Sequence, residues 1–163
     1  RFTAELLAAA QAAYLHTAIE TCGHGAWEHL AEVLRHVDLL YFDLKHMDPR
    51  RHEELTGRSN ELILGNLRRI LSVKEPRDVV VRIPVIPGYN DSVENIRESA
   101  TFVAELGFSQ IELIAYHEFG RSKYRQYGMV YQLDAVAPVP EGDLQSLRQL
   151  VESLGLHEVT GCM

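Results

Sequence analysis

The sequence predicts an α/β fold in which about four parallel strands are wrapped by outer helices, as a doubly wound sheet or as part of a (β/α) barrel. Three observations carry this prediction. Apolar residues change period repeatedly, which marks strands alternating with helices. The strand candidates are continuous apolar runs, so both faces of a parallel sheet are expected to be covered. Each run also ends on polar residues, at the edge where α/β proteins assemble their sites.

The elements follow in order. Residues 2 to 13, rich in Ala and Leu, read as a helix, and 14 to 21 as a strand that stops before Gly23-His24-Gly25. Trp27, Leu30, Ala31 and Leu34 have the spacing of one helix face. A second strand is expected at about 37 to 43. Pro49 starts a short helix, as proline favours a first turn. Ser59 is a plausible N-cap for the next helix, with Ile63, Leu67, Ile70 and Leu71 facing inward.

Pro76 closes that segment before a third strand at 78 to 84. Asp91, with Glu94 three residues on, suggests a capping box for a helix burying Val93, Ile96, Ala100 and Val103. Gly107 ends it, and 110 to 116 form the fourth strand. Leu144, Leu147, Val151 and Leu154 mark a last helix, followed by a weak strand near 157 to 160. Residues 117 to 140 show no period but carry Tyr124, Tyr127, Met129 and Tyr131, which favours an ordered binding loop. A closed eight-stranded barrel usually needs roughly 200 or more residues. The 163 residues here are expected to form a single domain, 1–163, supplying part of one.

Composition narrows the function. A formal net charge of −7 with scattered basic residues argues against a nucleic-acid surface. No apolar run approaches the roughly 20 residues that span a bilayer, and a cytoplasmic location is expected. Cys22 and Cys162 lie far apart and read as two free thiols. The opening Arg1 suggests a piece of a longer protein.

The polar strand ends carry the chemistry. Asp43 and Lys45 are two apart on an extended segment and leave it on the same side. They suit the amino and carboxyl groups of an amino-acid-like ligand, or form a rim ion pair. Arg82, between Val81 and Ile83, needs a carboxylate, from Asp43, Glu20 or a ligand. His117 is the histidine placed at a strand end, while His24, His46, His52 and the others read as solvated or locally bonded. Glu20 and Thr21 offer oxygens that suit a cation, or cap a helix across Gly23.

Together, Glu20-Thr21-Cys22-Gly23, Phe42-Asp43-Leu44-Lys45, the run from Val81 to Asp91 and Tyr116-His117-Glu118-Phe119-Gly120 resemble the glycyl radical enzyme activating enzymes. These are the pyruvate formate-lyase-activating group of the radical SAM superfamily. The order and spacing of the strings agree over roughly residues 14 to 135, the later two-thirds of such an enzyme. The resemblance implies a partial (β/α)6 barrel of the radical SAM type with its N-terminal strands missing. It implies that Asp43, Lys45, Arg82 and His117 contact S-adenosylmethionine, and that Glu20, Thr21 and Asp43 match a monovalent-cation site.

The family holds a [4Fe–4S] cluster with Cys-x-x-x-Cys-x-x-Cys, a pattern missing from these 163 residues and expected upstream of Arg1. The implied activity is reductive cleavage of S-adenosylmethionine to a 5′-deoxyadenosyl radical that takes hydrogen from a glycine of a partner such as pyruvate formate-lyase. That partner's glycine loop is expected near His117 to Tyr131, with flavodoxin or ferredoxin as electron donor. Without the cluster ligands this piece is expected to be inactive alone, with no catalytic residue of its own. Two rivals stand beside this reading: a (β/α) lyase or aldolase using Lys45 as a Schiff base, and a non-catalytic module that binds the cofactor or a partner.

Overall fold

A computed structural model of the chain describes residues 1–159. Five parallel strands form one open sheet in sequence order: β1 (Ala18–Thr21), β2 (Leu39–Asp43), β3 (Val79–Val85), β4 (Gln110–Ala115) and β5 (His157–Glu158). Helices α1 (Phe2–Ala12), α2 (Trp27–Leu34), α3 (Pro49–Thr56) with α4 (Glu61–Ile70), α5 (Val93–Glu105) and α7 (Glu141–Ser153) fill the connections. The order without reversal is that of an open barrel segment rather than a doubly wound sheet. The last strand begins at the expected position, and Thr160 and Cys162 lie outside the described residues.

The expectation that both sheet faces are covered is corrected by the burial pattern. Phe42 and Leu44, Val81, Ile83 and Val85, and Ile111 and Leu113 are buried in the core with residues of α4, α5 and α7. Their alternates Tyr41, Asp43, Arg82, Pro84 and Glu112 are half-buried, and Glu20 is exposed. Apolar runs read as two-sided because Leu39, Tyr41, Val80 and Ile114 carry the second face between its polar members. One side is a packed core; the other is a half-buried face that mixes polar and apolar residues.

Several boundaries move for local reasons. The first strand starts at Ala18, because Tyr14 adopts φ 60 and Leu15 N–H donates back to Ala10 O. That is a helix-ending turn usually marked by glycine, so the sequence hides it. Ser92, not Asp91, caps α5 through its hydroxyl and Asn95 N–H, and Asp91 instead accepts from Gly88 N–H at 2.8 Å. Val93, expected inside, is exposed at the first turn.

Asn60, not Ser59, occupies the N-cap of α4, with its side chain committed elsewhere. Pro49 does open α3, capped by Asp48 accepting from Arg51 N–H at 2.8 Å. Gly23 combines φ +66 with an approach so close that a Cβ would sit 2.4 Å from Phe42 Cε2. No larger residue fits that turn beside the core.

Candidate functional site

The carboxyl ends of β1, β2 and β3 place Glu20, Asp43, Lys45 and Arg82 together. Register sets Asp43 beside Arg82 and Arg82 beside Glu112. Arg82 donates to Asp43 Oδ1 from Nε at 3.2 Å and from Nη2 at 3.0 Å, and also to Glu20. Its guanidinium lies 5.0 Å from the centre of the Tyr41 ring. The Arg82 side chain is only 12% exposed, Asp43 22% and Glu20 63%, so Asp43 is the inner partner. Burial lowers the Arg82 pKa from the ordinary guanidinium range, while Glu112 pulls the other way. Lys45 Nζ reaches Asp43 Oδ2 at 3.3 Å, so the Asp43 carboxylate bridges two cations.

His117 leaves the same edge one strand further on. It is exposed, its ring stacks on Phe119 at 4.3 Å, and among the described residues no hydrogen bond joins it to Glu20, Asp43, Lys45 or Arg82. The Thr21 hydroxyl accepts from Gly23 N–H at 3.0 Å, on a strand where Glu20 turns toward Arg82. Among the described residues, no group of three His, Cys, Asp or Glu side chains is placed to hold a metal ion. Cys22 is a free thiol, so the described residues do not fit a [4Fe–4S] cluster.

The segment after β4 is ordered and part helical. Past a 3-10 turn at Glu118–Gly120, α6 spans Arg121–Gln126. Arg121 pairs with Glu118 and with Asp134, folding the segment back on itself. Tyr116 Oη bonds Tyr131 Oη at 2.8 Å and donates to Leu133 O at 3.3 Å, and Tyr124 packs edge-on to Tyr131. Burial first, and then the Tyr131 hydrogen bond, push the Tyr116 pKa up to about 12. The folded segment closes one side of a chamber of about 490 Å³, lined by Lys45, Pro84, Ile86, Tyr124, Met129 and Tyr131 among others. Lys45 is thus the link between the rim cluster and this cleft.

The site also depends on buried asparagines that pattern reading missed. Asn90 Nδ2 donates to Lys45 O (2.8 Å) and Pro84 O (2.6 Å), while its Oδ1 accepts from Ile86 N–H (2.7 Å). Asn60 Nδ2 holds His46 O and Met47 O, and Asn95 Oδ1 takes Met47 N–H. Asn66 Nδ2 holds Gly23 O and Gly25 O. A planar amide offers two donors and an acceptor in fixed directions, which suits it to pinning two loops at once. Their sequence signal was weak: Asn60 and Asn90 sit in stretches that read as ordinary turns, and Asn66 and Asn95 on helices where a polar residue reads as solvent-facing. His52, grouped with the solvated or locally bonded histidines, is buried, with Nδ1 donating to Arg58 O at 2.7 Å.

An open parallel barrel segment with carboxylate, ammonium and guanidinium side chains meeting on its rim defines the structural class, and comparison with known proteins gives the family. The sequence profile of the radical SAM superfamily matches residues 1–100. The chain is 39% identical over 151 residues to the isethionate sulfite-lyase activating enzyme of Nitratidesulfovibrio vulgaris, covering 91% of this chain and 47% of that protein. It is 34% identical to the 4-hydroxyphenylacetate decarboxylase activating enzyme of Clostridioides difficile, covering 95% and 49%.

A solved domain of a pyruvate-formate lyase-activating enzyme from Bacteroides vulgatus superposes with a TM-score of 0.80 at 31% identity, covering 99% of this chain and 90% of that one. The chain belongs to the radical SAM superfamily, and within it to the glycyl radical enzyme activating enzymes of the pyruvate formate-lyase-activating group. It spans about half the length of the curated relatives it matches.

Proposed function

We propose that this chain is the part of a glycyl radical enzyme activase that grips S-adenosylmethionine along the rim of β2, β3 and β4. The observation that carries the reading is the Arg82–Asp43–Lys45 cluster at the mouth of a cleft, in a chain of this family. Asp43 and Lys45 present opposite charges to the amino and carboxylate groups of a methionyl moiety. Arg82 fixes the Asp43 carboxylate, so the ligand meets a rigid acceptor rather than a rotating one. His117, exposed at the next strand end, offers an imidazole to the ribose hydroxyls. Glu20, Thr21 and Asp43 are the oxygens nearest to hand for a monovalent cation beside the cofactor carboxylate.

Asp43, Lys45, Arg82 and His117 would hold S-adenosylmethionine, which would supply the radical chemistry by which the longer enzyme activates a glycine of its partner. What this chain contributes is binding, orientation and exclusion of water. The described residues do not fit the iron–sulfur cluster, and the chain alone is expected to bind without turning over. The partner's glycine loop would lie against the aromatic segment from His117 to Tyr131, and flavodoxin or ferredoxin would supply the electron to the longer enzyme. Lys45 is held in an ion pair by Asp43, whereas a Schiff-base lysine needs a free amine, which weighs against the lyase reading.

Isothermal titration of the chain with S-adenosylmethionine is expected to show one saturable site. Asp43→Ala and Lys45→Ala should each weaken it by about tenfold or more, the loss of one charge-assisted contact. Their far-ultraviolet dichroism should match that of the parent chain. Unchanged affinity in both folded variants would remove the rim from the binding site.

A further inference from the structure

Lys45 also lines a second chamber, of about 250 Å³, with Cys22, His24, His52, Thr56 and Arg58, over the side chain of Ile63. We propose that this chamber binds a small carboxylate carried on a short apolar body. Among the described residues, the charged side chains lining it are basic, with neither Asp nor Glu in the lining, although the chain as a whole carries a net charge of −7. Among the described residues, the Arg58 guanidinium and the His24 imidazole have no hydrogen-bond or ion-pair partner, and Lys45 has Asp43 alone. The unpaired Arg58 guanidinium, with the Lys45 ammonium and two imidazoles beside it, gives one small chamber a local positive field that an anion relieves.

The chamber is also built rather than incidental. Gly57, at φ 75, turns the chain out of α3. Buried His52 then donates Nδ1–H to Arg58 O at 2.7 Å, and Thr56 Oγ1 reaches the same carbonyl at 3.2 Å. A carbonyl only accepts, so the imidazole donor holds the backbone of Arg58, while the nearer acceptor of the Thr56 hydroxyl proton is His52 O at 2.8 Å. The volume exceeds that of a bare ion, and Ile63 provides an apolar wall, which together favour a carboxylate with a short hydrocarbon part. The site stands whether or not the rim binds S-adenosylmethionine, and its test reads neither that affinity nor turnover.

Cys22, a half-buried free thiol in the wall, reports on the chamber without being part of the recognition. Alkylation of Cys22, followed by peptide mapping, is to be timed with anionic iodoacetate and with neutral iodoacetamide at constant ionic strength. The iodoacetate-to-iodoacetamide rate ratio is expected to exceed that of a free small-molecule thiol by about tenfold, the size of electrostatic focusing in a charged cleft. Arg58→Gln and His24→Gln should each bring it back toward the free-thiol ratio. Butyrate should slow alkylation and butyramide should not. Protection by butyrate identifies a free carboxylate as a ligand, whereas protection by a capped Gly-Glu-Gly peptide alone, absent with Gly-Gln-Gly, identifies a side-chain carboxylate.

If Cys22 reacts too slowly to time, the imidazole signals of His24 and His52 in a butyrate titration give the same reading. A saturable shift, lost in Arg58→Gln, supports the site. A free-thiol ratio in the parent chain, equal protection by butyrate and butyramide, or imidazole signals that do not move would overturn it.

Discussion

Arg82 is restrained in three ways, and each removes a different freedom. Asp43 takes two of its N–H groups, Glu20 a further bond, and the Tyr41 ring lies beside the guanidinium. A lysine at this position keeps the charge but cannot form the fork, so Arg82→Lys is not conservative. Loss of the paired bonds should cost about 1–3 kcal/mol in urea unfolding, the range for hydrogen bonds to charged groups. A variant as stable as the parent would show that the clamp adds nothing net.

Tyr116 gives a residue-scale prediction in pH. Its folded pKa, about 12, lies above the ordinary 10.0, so the folded state favours the neutral phenol. That contribution to stability is complete below pH 10 and is lost as pH rises toward 12. The stability gap between the parent and Tyr116→Phe should therefore shrink between pH 10 and 12. A gap constant over that window would mean the phenol ionises alike in both states.

At the scale of elements, the loops at the rim are held by asparagines rather than by apolar contacts. Asn90 alone ties Lys45, two residues after β2, to the end of β3 and the turn that follows. Asn90→Ala removes three hydrogen bonds of about 1 kcal/mol each and leaves buried carbonyls unpaired, so a loss of about 3 kcal/mol is expected in urea unfolding. A loss no larger than that of an exposed Asn→Ala change would contradict the clamp.

This is also where reading the sequence succeeded and failed. Strand positions and the meeting of Asp43, Lys45 and Arg82 were readable, because a strand's two-residue period and parallel register dictate them. The mixed second face was hidden, since Leu39, Tyr41 and Ile114 look like core until their half-burial is seen. The asparagine clamps were hidden for another reason: their partners are backbone carbonyls up to 45 residues away, and a carbonyl leaves no mark in a sequence. Tyr14 likewise occupies a helix-ending conformation without the glycine that usually announces it.

At the scale of the molecule, the sheet has an edge that its own helices do not cover. Among the described residues β1 pairs with β2 alone, and Ala18 and Glu20 on it are exposed. Nearby in sequence, Phe2, Leu6, Tyr14 and Leu15 are 75%, 56%, 97% and 61% exposed. An unpaired strand edge offers a ladder of free backbone groups, and exposed apolar residues on the same chain add a driving force for association. The chain of 163 residues should therefore self-associate as its concentration rises, seen as a growing weight-average mass in sedimentation equilibrium. Ala18→Lys places a charge at the edge without touching the core, the device by which natural sheets prevent such pairing. It should return the chain toward a monomer while leaving its unfolding midpoint unchanged. If the parent chain sediments as a monomer throughout, the edge is protected by its short length and by Glu20, and the exposed apolar residues of α1 are not a contact surface.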